Sequence, residues 1–370
     1  ARTVLTCRRA DSGLWEHPLD HRVLQYLLRE GFYGVYRIGH IRLDHALITA
    51  LVERWHTETH TFHFPIGEAT VTLQDVSVLY GLQIDSRAIT GVDLSFATEQ
   101  WIALCAELLG VAPTLADLQA GRLRVRWLAE QFAHLPDHAL DELVQQHTRA
   151  YILWLIEGVL LPNKSQNLLK LMYLPLLRDI KEIGQYSWGS TALAWLYRML
   201  CRAAQVGTRE IGGPLVIVIV FKLLQIWAWE RLIRIAPSRR QLVGPGELPM
   251  GEGDMQLPIE PRGSRWRFIW QPYVGVLGTL PEYCRLGQEI WMARVPLICF
   301  DVVEWHLPHR VLRQFGRVQS VPDRFDTEWQ LHVTDRRGRA GTDWHLFYMP
   351  YIRLWDAHRD SIVQVDYSDE

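Results

Sequence analysis

This chain has almost no lysine. Lys164, Lys170, Lys181 and Lys222 are the only four in 370 residues, and arginine supplies the other basic groups. A pyridoxal enzyme needs a Schiff-base lysine in an alternating strand–helix frame. Three of the four read as solvent-facing, Lys222 sits inside an apolar helical run as a snorkelling or paired residue, and alternating βα texture is missing. Net charge is nearly absent as well: 39 basic groups face 41 acidic ones, with a pI near 6.8. That balance argues against a protein whose main work is gripping phosphate backbones, although a local basic face stays open. Cysteine is sparse, scattered and odd in number (Cys7, Cys105, Cys201, Cys284, Cys299), with no CxxC pair. This pattern excludes a disulfide scaffold and reads as a reduced intracellular protein with buried thiols. Asn163-Lys164-Ser165 fits a glycosylation acceptor only as chance triplets do.

Long apolar runs are missing too. The most hydrophobic stretch, residues 215–232, is interrupted by Lys222, Gln225, Glu230 and Arg231. It falls short of the roughly 20 apolar residues a span requires, so a core helix is expected and no membrane role. The chain starts at Ala1, as an excerpt would, with nothing resembling a signal peptide. No GxxxxGK[ST], GxGxxG or GxSxG motif occurs, and no period of 20 to 50 residues recurs.

What is present is core material: 48% hydrophobic residues and 16 tryptophans. Apolar residues recur at helical spacing over 18–29, 44–55, 101–109, 123–134, 137–161, 168–183 (broken near Pro175), a stretch that Ser187 or Ser190 can cap and that runs to about 204, and 215–235. Residues 216–220 also admit a strand. Between the second and third helices lies the most structured stretch of sequence. Residues 61–64 and 69–73 alternate apolar and polar around the turn Pro65-Ile66-Gly67, which predicts a β-ribbon. Thr72-x-x-Asp75 then predicts a capping box, for a helix that stops at Gly81. Residues 295–300 predict a strand, 308–315 a short helix, 335–341 a charged turn and 344–358 a helix despite Pro350. The expected fold is mainly α: a single large multi-helix domain with a small β-ribbon and short strand insertions. Its helical core covers 1–235, a Pro/Gly-rich segment with seven prolines covers 236–282, and the remainder of the domain covers 283–370.

Several constellations invite chemistry. His56-x-x-x-His60 has the i, i+4 spacing of zinc ligands, with His63 nearby, but position 57 is Thr where HExxH has glutamate. With His60 and His63 at the start of the ribbon, the three would not face one another, so satisfied histidines and no metal are expected. His306-x-x-His309 and His134-x-x-x-His138 adjoin helix-breaking prolines. Asp75, Asp179, Asp301 and Glu304 could supply a two-metal nuclease if the fold made them converge, but Asp75 already has a capping role. Ser190 in Trp188-Gly189-Ser190 reads as a cap rather than a nucleophile. No catalytic set and no cofactor follow from these residues. The remaining signal is aromatic and arginine content, the composition of protein–protein hot spots.

Eight separated blocks, taken in order, resemble the plant mobile domain, also labelled aminotransferase-like, of the MAIN-like and phosphatase 7 long form homolog proteins. They are Asp44-His-Ala-Leu-Ile-Thr-Ala-Leu-Val-Glu-Arg-Trp55, Glu58-Thr-His-Thr-Phe-His63, Gly67-Glu-Ala-Thr-Val-Thr-Leu-Gln-Asp-Val76 and Tyr173-Leu-Pro-Leu-Leu-Arg-Asp179. Ser187-Trp-Gly-Ser190, Ala194-Trp-Leu-Tyr197, Trp227-Ala-Trp-Glu-Arg231 and Glu304-Trp-His-Leu-Pro308 with Arg313-Gln-Phe-Gly316 complete them. The resemblance implies a nuclear plant protein related to sequences carried by transposable elements. It further implies roles in transposon silencing, gene expression and meristem maintenance, with a phosphatase 7-type protein as partner. It assigns no catalytic residues, and the lysine positions do not support the aminotransferase label. Two functions are therefore carried forward: a non-enzymatic interaction module, and a transposon-derived nucleic-acid-binding or recombinase-like nuclease domain. A metabolic enzyme would need a polar pocket with perturbed pKa values. For the interaction module, the expected contact residues are Phe62, Phe64, Glu68, Arg178, Tyr186, Trp188, Trp229 and Arg231.

Overall fold

Asp20 caps helix α1 (His21–Arg29) by accepting from the Arg22 amide, and α2 (Tyr33–Ile38) follows after a turn. Asp44 caps α3 (His45–Val52) by accepting from the Leu47 amide. The structure, a computed structural model, describes residues 14, 18–39, 41–162, 167–204, 221–232 and 268–364. After α3 the chain forms an antiparallel three-stranded sheet of β1 (Trp55–His56), β2 (Thr61–Phe64) and β3 (Gly67–Ala69). The ribbon's second arm therefore begins at Gly67, which pairs with Phe64, two residues earlier than the alternation suggests. Residues 70–72 lead instead into α4 (Leu73–Tyr80). The capping box forms as expected: the Asp75 amide donates to Thr72 Oγ1, and Asp75 Oδ2 accepts from the Thr72 amide at 2.7 Å. Gly81, at φ 63°, ends the helix in the left-handed region where glycine costs least.

Helix α5 (Thr98–Leu109) runs to Gly110. The 123–134 segment splits into β4 (Arg122–Arg124) and α6 (Val125–Gln131), because the first residues pair with β5 (Leu168–Lys170). Helix α7 (Asp141–Leu155) ends in a wider π turn at Ile156–Leu160. The 168–183 stretch is not one broken helix. After β5 it forms two tight 3₁₀ segments, Leu171–Leu177 and Ile180–Gln185, with Pro175 inside the first. Proline's missing donor and its clash one turn back explain why the α-form fails there.

Helix α8 (Trp188–Ala204) is the buried axis of the molecule, and only Trp195, Arg202 and Ala204 escape full burial. Helix α9 (Phe221–Arg231) packs against α3 and α4. Residues 215–220 and 233–235 of the expected helix, the 216–220 strand alternative, Cys7 and most of the proline-rich segment fall outside the described residues. From Phe268 onward the segment packs: Phe268 meets Phe64 and Trp227, and Tyr273 is buried. The predicted strand is β6 (Val295–Cys299), which pairs with a second strand the sequence reading missed, β7 (Val302–His306). Every residue of this hairpin is buried, so its sequence shows no alternation to read. Residues 308–315 form two 3₁₀ turns. The helices α10 (Trp329–Val333), α11 (Trp344–Phe347) and α12 (Met349–Asp356) close the chain, with Pro350 tolerated in the first turn of α12. The β6–β7 hairpin lies on α8, and α12 covers β6. The fold is mainly α, with short sheets. Its apolar core is continuous from Leu14 to Trp355.

Two fully buried ion pairs pin this core. Arg231 of α9 meets Asp75 of α4 at 2.7 Å, and Tyr273 donates to the same Asp75 oxygen at 2.8 Å. Arg198 of α8 pairs with Glu304 of β7, and its other nitrogens donate to the carbonyls of Val303, Leu331 and Thr334. One arginine thereby ties the central helix to the hairpin and to α10.

Candidate functional site

The hairpin, the central helix, α10 and the β1–β2 turn converge behind this second pair. Glu304 Oε2 lies 3.1 Å from His60 Nε2 and 2.8 Å from His332 Nδ1, and Cys201 Sγ completes a group whose ligand atoms all fall within 4.8 Å of one another. All four side chains are buried. His60 reaches the site because its backbone is left-handed, φ 51°, a conformation non-glycine residues adopt at some cost. Burial alone would raise the Glu304 carboxyl; Arg198, with His332 and His60, holds it well below the ordinary carboxylate range. Burial pushes the Cys201 thiol upward.

His332 also lines a cleft of about 1060 Å³. Its walls carry Lys170, Trp195, Arg202, Asp301 and Arg336. Here Lys170 Nζ stands over the rings of Trp195 and Tyr173, 5.4 and 6.0 Å from their centroids. Arg336 pairs with Asp93, and burial raises the Asp301 carboxyl against the pull of Arg336 and Lys170. Helices α10 and α11 expose an apolar rim: Trp329, Val333, Leu346 and Phe347 are 58%, 54%, 65% and 46% exposed, and Val333 also lines the cleft. Trp329 and Val333 share one face of α10, four residues apart. Glu328 accepts a hydrogen bond from Tyr351, whose ring meets that of the buried Tyr348, and Tyr348 in turn meets Phe347.

The residues expected to meet a partner are spread widely. Phe62, Trp188 and Arg231 lie in the core and present nothing to a partner. Phe62 packs on Trp55 and Trp227, Trp188 donates to the Ile183 carbonyl, and Arg231 is held by Asp75. Their aromatic or forked chemistry serves packing and pairing. The others are partly or fully exposed but engaged at home. Phe64 packs against Phe268, Glu68 accepts two bonds from Arg310, Arg178 pairs with Glu107, and Tyr186 lies under Arg87; Trp229 is half-buried on α9. His56 and His63 stack on each other, 3.6 Å between centroids, while His60 turns inward, so the three histidines do not share a site. The four carboxylates considered for a nuclease also part company. Asp75 joins Arg231, Glu304 joins Arg198, Asp179 caps the Lys181 amide, and Asp301 faces the cleft. The rim escaped the sequence reading because α10 spans five residues, too few for a periodic signal. The i, i+4 pair Trp329 and Val333 was its one legible trace.

Among the described residues no helix is long and apolar enough to cross a membrane, and Cys105, Cys201, Cys284 and Cys299 are free and buried. Compared with known proteins, the chain matches the plant mobile domain family over residues 31–268 and 267–369. It is 43% identical to the serine/threonine-protein phosphatase 7 long form homolog of Arabidopsis thaliana, a match covering 99% of this chain but 29% of that protein. It is 34% identical to the Protein MAINTENANCE OF MERISTEMS of the same plant, covering 99% of this chain and 81% of the relative. Protein MAIN-LIKE 1 is 32% identical, with 98% and 70% covered. No solved structure matches.

Proposed function

The chain belongs to the plant mobile domain family, and from that premise we propose that it is a non-enzymatic protein-docking module of the plant nucleus. Its partner in this reading is a phosphatase-like protein of the phosphatase 7 type, and its work lies in transposon silencing, gene expression and meristem maintenance. The observation that carries the docking reading is the exposed rim of Trp329, Val333, Leu346 and Phe347. Large apolar side chains left exposed, tryptophan above all, are the anchors that dominate protein interfaces. The partner class is supported by the relative named as a phosphatase 7 long form homolog, in which this domain makes up 29% of the length. The meristem role is supported by the relative named for that process.

Size-exclusion chromatography of the chain with a phosphatase 7-type protein tests it. Co-elution at micromolar concentration is expected, and separate elution refutes the pairing. A second reading, nucleic-acid binding, draws on the basic groups Arg122, Lys170 and Arg202 along the cleft. It requires DNA or RNA affinity that falls steeply between low and moderate salt. Affinity that ignores salt, or none, removes it.

A further inference from the structure

We propose that His60, Cys201, Glu304 and His332 form a structural zinc site that clamps the β1–β2 turn, the central helix, the β6–β7 hairpin and α10 together. His60 Nδ1 lies 2.8 Å from the Trp305 carbonyl, which can only accept, so Nδ1 carries the proton. In a neutral ring, Nε2 is then a bare lone pair, and it stands 3.1 Å from Glu304 Oε2, a carboxylate oxygen. Two buried acceptors at that separation repel each other unless a proton on Nε2 or a metal cation lies between them. Neither these two atoms nor His332 Nδ1 has an aligned hydrogen bond. With Cys201 Sγ, these three atoms all lie within 4.8 Å of one another.

The donor set then names the ion. One thiolate, two imidazoles and a carboxylate suit zinc and exclude magnesium or calcium, which take oxygen. Zinc bond lengths of about 2.0–2.3 Å imply tetrahedral edges of about 3.3–3.8 Å. The four atoms, with all pairs inside 4.8 Å, reach that geometry by small side-chain shifts. Glutamate and thiolate together match a divalent charge, and the ion would overcome the effect of burial on the thiol.

Each ligand is also oriented from behind, as ligands of a built site are. His60 is held by the Trp305 carbonyl, His332 Nε2 by Thr327 Oγ1 at 3.3 Å, and Cys201 Sγ by the Trp55 indole N–H at 3.3 Å. Arg198 occupies Glu304 Oε1 and leaves Oε2 for the ion. All four positions come from the protein and all are buried, which is the closed arrangement of a structural site. The left-handed backbone at His60 fits the same account, since strain persists where surrounding bonds over-determine it.

The test is metal content. The full chain, expressed with zinc and purified without chelator, is assayed by plasma mass spectrometry and zinc-edge absorption spectroscopy. About one zinc per chain with one sulfur and three nitrogen or oxygen neighbours is expected. Cys201→Ser and His332→Gln should each cut zinc retention at least tenfold, while His56→Ala, on the surface stack, should retain it. If the core variants fail to fold, the wild-type metal content and its sulfur neighbour still decide. Less than a tenth of an equivalent in wild type, together with no change in the absorption spectrum when cobalt is added, overturns the proposal; a proton on His60 then fills the gap. Zinc that survives Cys201→Ser and His332→Gln places the ion elsewhere and overturns it equally.

Discussion

Replacing Arg231 by methionine should be among the most damaging single changes in this fold. The guanidinium is fully buried, 2.7 Å from Asp75, and bonded to Tyr273, which itself donates to Asp75. The pair joins α9 to the capping box of α4 and to the segment beginning at Phe268. Methionine fills most of the volume, so the effect isolates charge. Asp75 would be left buried with only neutral donors, and stranding one partner of a buried pair costs about 3–5 kcal/mol. Asp75→Asn combined with Arg231→Met removes both charges while the asparagine carbonyl can still accept from the Thr72 amide. That double variant should be more stable than Arg231→Met alone, by about 1–3 kcal/mol. Urea unfolding followed by tryptophan fluorescence and by far-ultraviolet circular dichroism measures both, with coincident transitions as the check on two-state behaviour. An Arg231→Met cost under about 1 kcal/mol, or a double variant as unstable as the two single changes summed, would refute the reasoning.

Other consequences follow from the same packing. His306 donates through Nδ1 to the Ala293 carbonyl and accepts through Nε2 from the Leu73 amide, and burial pushes its pKa down to about 4. The unfolded chain, titrating near 6.5, binds more protons between these values, so the full contribution of neutral His306 is present above about pH 6.5 and is lost as pH falls toward 4. That interval is worth about 3 kcal/mol, and unfolding midpoints measured from pH 7 to 4.5 should show the loss, with a shallower slope in His306→Gln. Gly34→Ala would drive a methyl to 2.0 Å from the Tyr80 carbonyl oxygen; because that neighbour is backbone, thermal denaturation should show a loss of about 1–3 kcal/mol or more. On the rim, Trp329→Ser with Phe347→Ser should weaken partner binding at least tenfold in calorimetric titration while leaving the unfolding midpoint nearly unchanged, since both side chains are already substantially exposed.

The parts of the fold carried by local chemistry were legible in the residues. The Thr72–Asp75 box caps the helix it precedes, and Gly81 ends that helix in the left-handed region, both as the residues predict. Where long-range pairing decides, the reading failed. Residues 168–170 pattern as helix but pair with 122–124, and β7, with Glu304 and His306 buried beside Val302, Val303 and Trp305, has its place set by pairing with β6 rather than by a pattern of its own. The same limit governs the buried quartet. His60 is local to the ribbon, but Cys201, Glu304 and His332 arrive from three other elements, so no sequence spacing connects them. His56 and His63, which spacing did suggest as partners for His60, face the other way. Aromatic and arginine residues misled for a related reason: Trp188 and Arg231 have interface chemistry, and only burial distinguishes a core anchor from a surface one.

The docking account is tested most directly by mapping where a partner touches. Hydrogen exchange of the chain, alone and with a phosphatase 7-type protein, reports protection along the sequence. The account predicts protection concentrated in residues 328–351, over α10, the charged turn and α11, with no change at the exposed face of α5. Protection confined to the β2–β3 turn around Phe64 and Glu68, or a pattern unaltered by the partner, would contradict it.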